Sequence, residues 1–143
     1  MENKYILDLM VSQHALIEAL FFVFKNDING GVEKAKVSLV NFAEEAKKHF
    51  SMEEKAIFNF STWKKVEIAE TIKHLEKEHK EMTGIMDKMA VNLPEISSEE
   101  IESFYNILID HRKREEQTLY PEIDKELDEE ERNIVIAHIN KRS

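Results

Sequence analysis

Residues 49–58 read "HFSMEEKAIF" and residues 111–120 read "HRKREEQTLY". Both follow one pattern: His, three residues, Glu-Glu, two residues, an aliphatic, an aromatic. The chain has only six histidines in 143 residues, and two of them open the same ten-residue phrase. On a helix, residues i and i+4 lie on one face, one turn apart. The phrase therefore sets an imidazole above a carboxylate on one side of a helix, twice.

Working outward, both phrases lie on longer amphipathic runs. A three-four alternation of apolar residues marks the buried stripe of a helix. The first stripe is Leu7, Met10, His14, Ile17, Phe21, Phe24, Ile28, and the second is Ala35, Leu39, Phe42, Ala46, His49, Glu53, Ala56, Phe60. The third is Ile68, Ile72, Leu75, His79, Met82, Met86, Met89, Leu93, and the fourth is Ile101, Phe104, Leu108, His111, Glu115, Thr118. Breaks separate them. Gly30-Gly31 stops the first helix. Ser61 or Thr62 caps the third, Pro94 ends it, and Ser98 caps the fourth. Pro121 ends or kinks the fourth, and Asp128 with Glu131 resembles a capping box for a short last helix. The expected architecture is all-α: an up-down-up-down four-helix bundle with a short C-terminal helix, forming one domain over 1–143.

Each apolar seam is interrupted by one histidine, and two seams add a glutamate. Burying a polar group without a partner costs roughly 2–7 kcal/mol, so six such groups need one explanation. Their depths agree. His79 and His111 each lie 16 residues from Glu95, and His14 and His49 lie 16 to 18 residues from Gly30-Gly31. At 1.5 Å per residue, antiparallel partners so placed meet at similar height. His79 faces His49 only if the third helix starts late, nearer residue 68.

Imidazole and carboxylate donors are the ligand set of a non-haem iron or other first-row metal. One ion takes each imidazole, and the carboxylate one turn along bridges to a second ion. Two ferrous ions carry four positive charges, and two carboxylates with a bridging hydroxide offset three of them, which suits a core of low dielectric. The repeated phrase thus builds two halves of a pseudo-symmetric dinuclear site. A zinc pair is also within this chemistry, but carboxylate bridging with imidazoles suits iron better. A ferritin-like di-iron bundle needs two Glu-x-x-His motifs; only Glu76-Lys77-Glu78-His79 fits, and Glu76 faces away from the seam.

Other residues carry blander expectations. Glu18, four after His14, is either a further ligand, an acceptor for an imidazole N–H, or a partly exposed acid. Glu54, Glu116 and Glu78 read as helix-surface charges, and His74 and His138 as surface residues. Met10, Met82, Met86 and Met89 pack the seam. Tyr105 and Tyr120 read as core, with donation to the site as the alternative.

The phrases "HFSMEEKAIF" and "HRKREEQTLYPEI", with "LEKEHKEM" between them and His14 on the first helix, resemble the hemerythrin-like family of cation-binding bundles. The resemblance covers nearly the whole chain. It implies iron ligands His14, His49, Glu53, His79, His111 and Glu115, with Glu53 and Glu115 bridging two non-haem Fe ions alongside an oxo or hydroxo group. The oxygen-carrying members have a His-x-x-x-His pair on the third helix; here Leu75 and Thr83 flank His79 at that spacing. Their fourth-helix carboxylate is an Asp five after the His, whereas Glu115 is four after His111. The site is similar to the branch with four His and two Glu, which includes iron–sulfur-cluster repair proteins and iron- or oxygen-sensing domains. A missing histidine leaves more open coordination positions. The repair proteins usually add a cysteine-bearing N-terminal segment, and this sequence has no cysteine.

Composition narrows the function classes. The formal charge is −9, which argues against nucleic acid and against anionic membrane surfaces. The absence of cysteine excludes disulfides, zinc-thiolate sites and cluster ligation by the chain's own thiols. The start "MENKYILDLM" lacks the apolar core of a signal peptide, no long apolar run is expected, and the location is expected to be cytoplasmic. The leading expectation is a di-iron protein binding a small diatomic, O2 or NO, for sensing or storage, its redox or signalling partner another protein. The alternatives are a redox-active di-iron protein in NO or peroxide detoxification or cluster repair, and a metal-free structural bundle.

Overall fold

The computed structural model describes residues 4–60, 63 and 65–142. Six α-helices follow in chain order: α1 Ile6–Asp27, α2 Val32–Glu53, α3 Val66–Val91, α4 Ser98–Arg114, α5 Tyr120–Glu126 and α6 Glu129–Arg142. Every regular element among the described residues is helical. α1 packs on α2, α2 on α3 and α3 on α4, and α1 returns to the chain that follows α4, closing the expected up-down-up-down bundle.

The turns follow from local chemistry. A 3-10 turn at Ile28–Gly30 ends α1, and Gly31 reverses the chain at φ 112°, a region that side chains rarely tolerate. A second 3-10 turn, Leu93–Glu95, carries Pro94. The cap of α4 is Ser97 rather than the expected Ser98. Ser97 has extended backbone and its hydroxyl accepts from Glu100 N at 3.1 Å, while Ser98 is already helical. The capping box holds: Glu131 N donates to Asp128 Oδ1 at 2.8 Å, and Asp128 N to Glu131 Oε1 at 3.0 Å. Ser61 and Thr62 lie outside the described residues. α3 begins at Val66, late as its histidine requires.

The third stripe is buried at all eight expected positions. The second and fourth stripes drift near their ends, for a shared reason. Each phrase contains a π-helical turn, Glu54–Phe58 after α2 and Glu115–Leu119 after α4. A π-turn closes i to i+5 bonds and admits an extra residue, which rotates everything downstream. Hence Thr118 is exposed while Leu119 and Tyr120 are buried, and Ile57 and Phe58 join Ala56 inside while Phe60 is only half-buried. Pro121 does not stop the chain; it sits in the first turn of α5, where its missing N–H costs nothing.

Two apolar clusters flank a polar layer. One gathers Phe21, Phe42, Met82, Met86 and Phe104 toward the Gly31 end. The other gathers Ile6, Ile57, Leu75, Ile123 and Val135 where α5 and α6 close the opposite end. The methionines expected in the seam all pack there. α1 is more apolar than the composition suggested. An 18-residue window within Ile6–Gly30 has mean hydropathy 1.6, enough by length and composition to cross a membrane. It nevertheless turns Met10, His14, Ile17, Phe21 and Phe24 into the bundle.

The N-terminus of α1 has no cap from its own Tyr5. Asp124 of α5 supplies it from 118 residues away, accepting from Ile6 N at 2.9 Å and from Leu7 N at 3.1 Å. Replacing a capping Asp typically costs about 0.5–2 kcal/mol. Asp124→Ala should lower unfolding free energy at the upper end of that range, because two donors, that of Ile6 buried and that of Leu7 partly so, lose their acceptor. A denaturant midpoint equal to wild type would show that α1 does not depend on this cap.

Candidate metal centre

The six seam residues converge. His14 on α1, His49 and Glu53 on α2, His79 on α3, and His111 on α4 with Glu115 opening its π-turn are all buried; Glu53 and Glu115 are fully so. The His14 and His49 rings stand 4.9 Å apart, as do those of His79 and His111, so the depth count by helix rise holds for both pairs.

The inner atoms form a crossed arrangement. Glu53 Oε1 lies 3.2 Å from His49 Nε2 and 3.2 Å from His79 Nε2. Glu115 Oε1 lies 3.3 Å from His111 Nε2 and 3.0 Å from His14 Nε2. Each carboxylate thus touches one histidine of each pair. Two groups result that could hold an ion, His14–His49–Glu53–Glu115 and Glu53–His79–His111–Glu115, each with donor atoms within 4.8 Å of one another. Both carboxylates belong to both groups.

These contacts are not hydrogen bonds. All four Nε2 atoms and both Oε1 atoms are buried without a hydrogen-bond partner. Two donors at about 2.1 Å from one ion, at right angles, are about 3.0 Å apart. The 3.0–3.3 Å spacings match neighbouring ligands around a metal.

Outside this set, each imidazole Nδ1 meets an acceptor on an adjacent helix. Gln13 Oε1 of α1 lies 2.6 Å from His49 of α2. Glu54, after α2, lies 3.4 Å from His79 of α3. Glu78 of α3 lies 2.8 Å from His111 of α4. Glu116, after α4, lies 2.7 Å from His14 of α1. The ring runs once around the bundle in chain order. Glu54, Glu78 and Glu116 are therefore not the free surface charges expected of them. A residue one step off the seam points about 100° away, which in a four-helix bundle is toward the neighbouring helix. The doubled Glu-Glu of the phrase carried that signal: the first acid faces the seam and the second braces the next histidine. Glu18 pairs with Arg112 at 2.8 Å and is in neither ion-binding group. His74 is surface-exposed but lies 3.2 Å from Glu78.

Tyr120 is core, as expected, and also takes the alternative role of donor to the site. Its hydroxyl donates to Glu53 Oε2 and lies 3.4 Å from Glu115 Oε2. The π-turn between Glu115 and Tyr120 brings the phenol under both carboxylates, a placement that straight-helix spacing does not reach. Tyr105 stays with the core, stacked on Phe21. Phe50 stacks on His79 with centroids 4.2 Å apart and fixes that ring. Two clefts reach the flanks: one of about 230 Å³ beside His49, between Gln13 and Met52, and one of about 580 Å³ beside His79, between Phe50 and Thr83.

The electrostatics without an ion are those of a proton-filled site. Burial disfavours the His14 imidazolium, but the carboxylates of Glu115 and Glu116 outweigh it and raise the pKa to about 9. Burial likewise opposes charge on His111, and Glu115 with Glu78 raises it to about 10. Burial favours neutral Glu53, yet the charge of His49 holds its carboxyl well below the usual range. Burial, then the charges of Glu115 and Glu53, keep the Tyr120 phenol protonated far above its ordinary value.

The family model described as Hemerythrin HHE cation binding domain matches residues 5–123, a span that contains all six residues. No curated protein and no solved structure matches the chain.

Raised histidine pKa values set the pH dependence of the metal-free chain. The stabilisation is fully present below the ordinary value of 6.5 and is lost as pH rises through about 9 to 10. Melting of chelator-treated protein should therefore fall from about pH 6.5 and level off near pH 10, by about 2–4 °C per kcal/mol lost. Glu78→Gln should make that fall smaller and end it at lower pH, since His111 loses an anionic neighbour. A melting temperature flat from pH 7 to 10.5 would contradict charged histidines in the core.

Proposed function

Because the chain belongs to the Hemerythrin HHE cation binding domain family, we propose that its six converging residues bind two iron ions and that the pair takes up a small diatomic, O2 or NO, for sensing or storage. The observation that carries the reading is the set of six buried donor atoms, spaced as ligands and bonded to nothing else. His14 and His49 would hold one ion and His79 and His111 the other. Glu53 and Glu115 would bridge, with an oxo or hydroxo group completing the link. Such a pair supplies open coordination positions and one-electron chemistry when bound.

The chain's own residues prepare those positions. Each Nδ1 is engaged by the ring of Gln13, Glu54, Glu78 and Glu116, which presents Nε2 to the centre and enriches it as a donor. Tyr120 holds the Oε2 atoms and leaves the Oε1 atoms turned inward. Four histidines, where the oxygen carriers have five, would leave an added coordination position open on a bound pair. Phe50 and the apolar clusters on either side exclude bulk water, which suits a neutral diatomic better than a charged substrate. The hydroxyl of Tyr120 donates to Glu53 Oε2 and so braces the carboxylates.

Two variants and one titration test this. Glu53→Ala, which removes a ligand from both positions, should abolish iron retention and lower stability with it, because binding free energy at such a site is folding free energy. His111→Ala should leave one ion per chain; unchanged stoichiometry would remove His111 from the set. For function, anaerobically reduced protein titrated with O2 and with NO should show a reversible spectral change saturating at one equivalent per pair. Continuous consumption of O2, peroxide or NO in the presence of reductant would instead favour the enzyme.

A further inference from the structure

The ring of Nδ1 partners is not uniform, and we propose that Gln13 makes the two ion positions unequal, so that the His79–His111 position fills first and more tightly. This rests on the ligand set proposed above. Three of the four imidazoles lean on a carboxylate, and His49 alone leans on an amide, Gln13 Oε1 at 2.6 Å. The partners divide by position. His79 and His111 are backed by Glu54 and Glu78. His14 and His49 are backed by Glu116 and Gln13.

The arginines do not account for the difference. Glu78 is paired with Arg114, and Glu116 with Arg112 at 3.7 Å, so each position has one carboxylate shared with a guanidinium. What remains is Glu54 against Gln13. A carboxylate accepting Nδ1–H pushes electron density toward Nε2 and makes the imidazole the stronger donor; a neutral amide does so less. The bridging carboxylates are common to both positions and cancel. The 3.4 Å contact of Glu54 is longer than that of Gln13, so its carboxylate acts at greater distance but with a full charge. The asymmetry therefore lies outside the ligands, in a residue that touches no ion.

The test is stepwise cobalt(II) uptake by the full chain without air, followed by visible absorption and by the imidazole proton resonances. Wild type should bind in two steps separated by about tenfold or more, the usual scale for partners of metal-bound histidines. The first equivalent should shift the His79 and His111 signals before those of His14 and His49. Gln13→Glu should tighten the weaker step and bring the two within a few-fold. Glu54→Gln, on a partly exposed side chain and so safer for folding, should weaken the tighter step and leave the other unchanged. Two equal steps in wild type, or first occupancy at His14 and His49, would overturn the inequality while keeping the ligand set. Separated steps that Gln13→Glu leaves as they were would overturn the role of Gln13. Uptake of no cobalt would overturn the ligand set and this inference together.

Discussion

Six buried donor atoms without hydrogen-bond partners govern the rest of this structure. Left bare, each would cost on the order of the 2–7 kcal/mol of an unpaired buried polar group, more than the net stability of most domains when summed. The chain tolerates them because they face one another across a single layer, with protons or an ion between the nitrogens and oxygens. Everything else secures that layer. Two apolar clusters clamp it from both ends, Asp124 ties the helix bearing His14 to the closing end, and four acceptors on neighbouring helices hold the rings.

The two π-turns are where backbone and site meet. An unbroken α-helix past Glu115 would turn Thr118 inward and carry Tyr120 off the seam. The extra residue of the π-turn places Leu119 and Tyr120 inside, and Tyr120 then reaches Glu53 on another helix. Its counterpart after Glu53 buries Ile57 and stacks Phe58 on His79. The repeated phrase therefore encodes more than an imidazole and a carboxylate one turn apart. It encodes a local unwinding immediately after them, of the kind found at functional sites.

Much of this was legible before any coordinates. The four stripes, the inward histidines and glutamates and the late start of α3 follow from helical periodicity and rise, because those are properties of one helix at a time. What periodicity did not reach depends on neighbouring helices or on departure from 3.6 residues per turn. Glu54, Glu78 and Glu116 read as surface charges because a single-helix projection treats every off-seam direction as solvent. Tyr120 is core as read, but its reach to both carboxylates depends on a π-turn that periodicity does not show. Ser97 and Ser98 are the same residue type side by side, and only backbone geometry separates the cap from the first helical residue.

The functional reading turns on whether the polar layer is a metal centre or a self-satisfied network of imidazolium and carboxylate. The raised pKa values of His14 and His111 show how protons fill the layer without a metal, and the orphaned Nε2 and Oε1 atoms show how an ion would fit better. The direct test is the iron content of freshly purified protein together with its visible spectrum in air. Two irons per chain are expected, one for each ion-binding group, with the near-ultraviolet absorption of an oxo-bridged diferric pair. Protein that holds no iron, even after anaerobic reconstitution with ferrous ion, would contradict a metal centre and leave the six residues as buried imidazolium–carboxylate pairs.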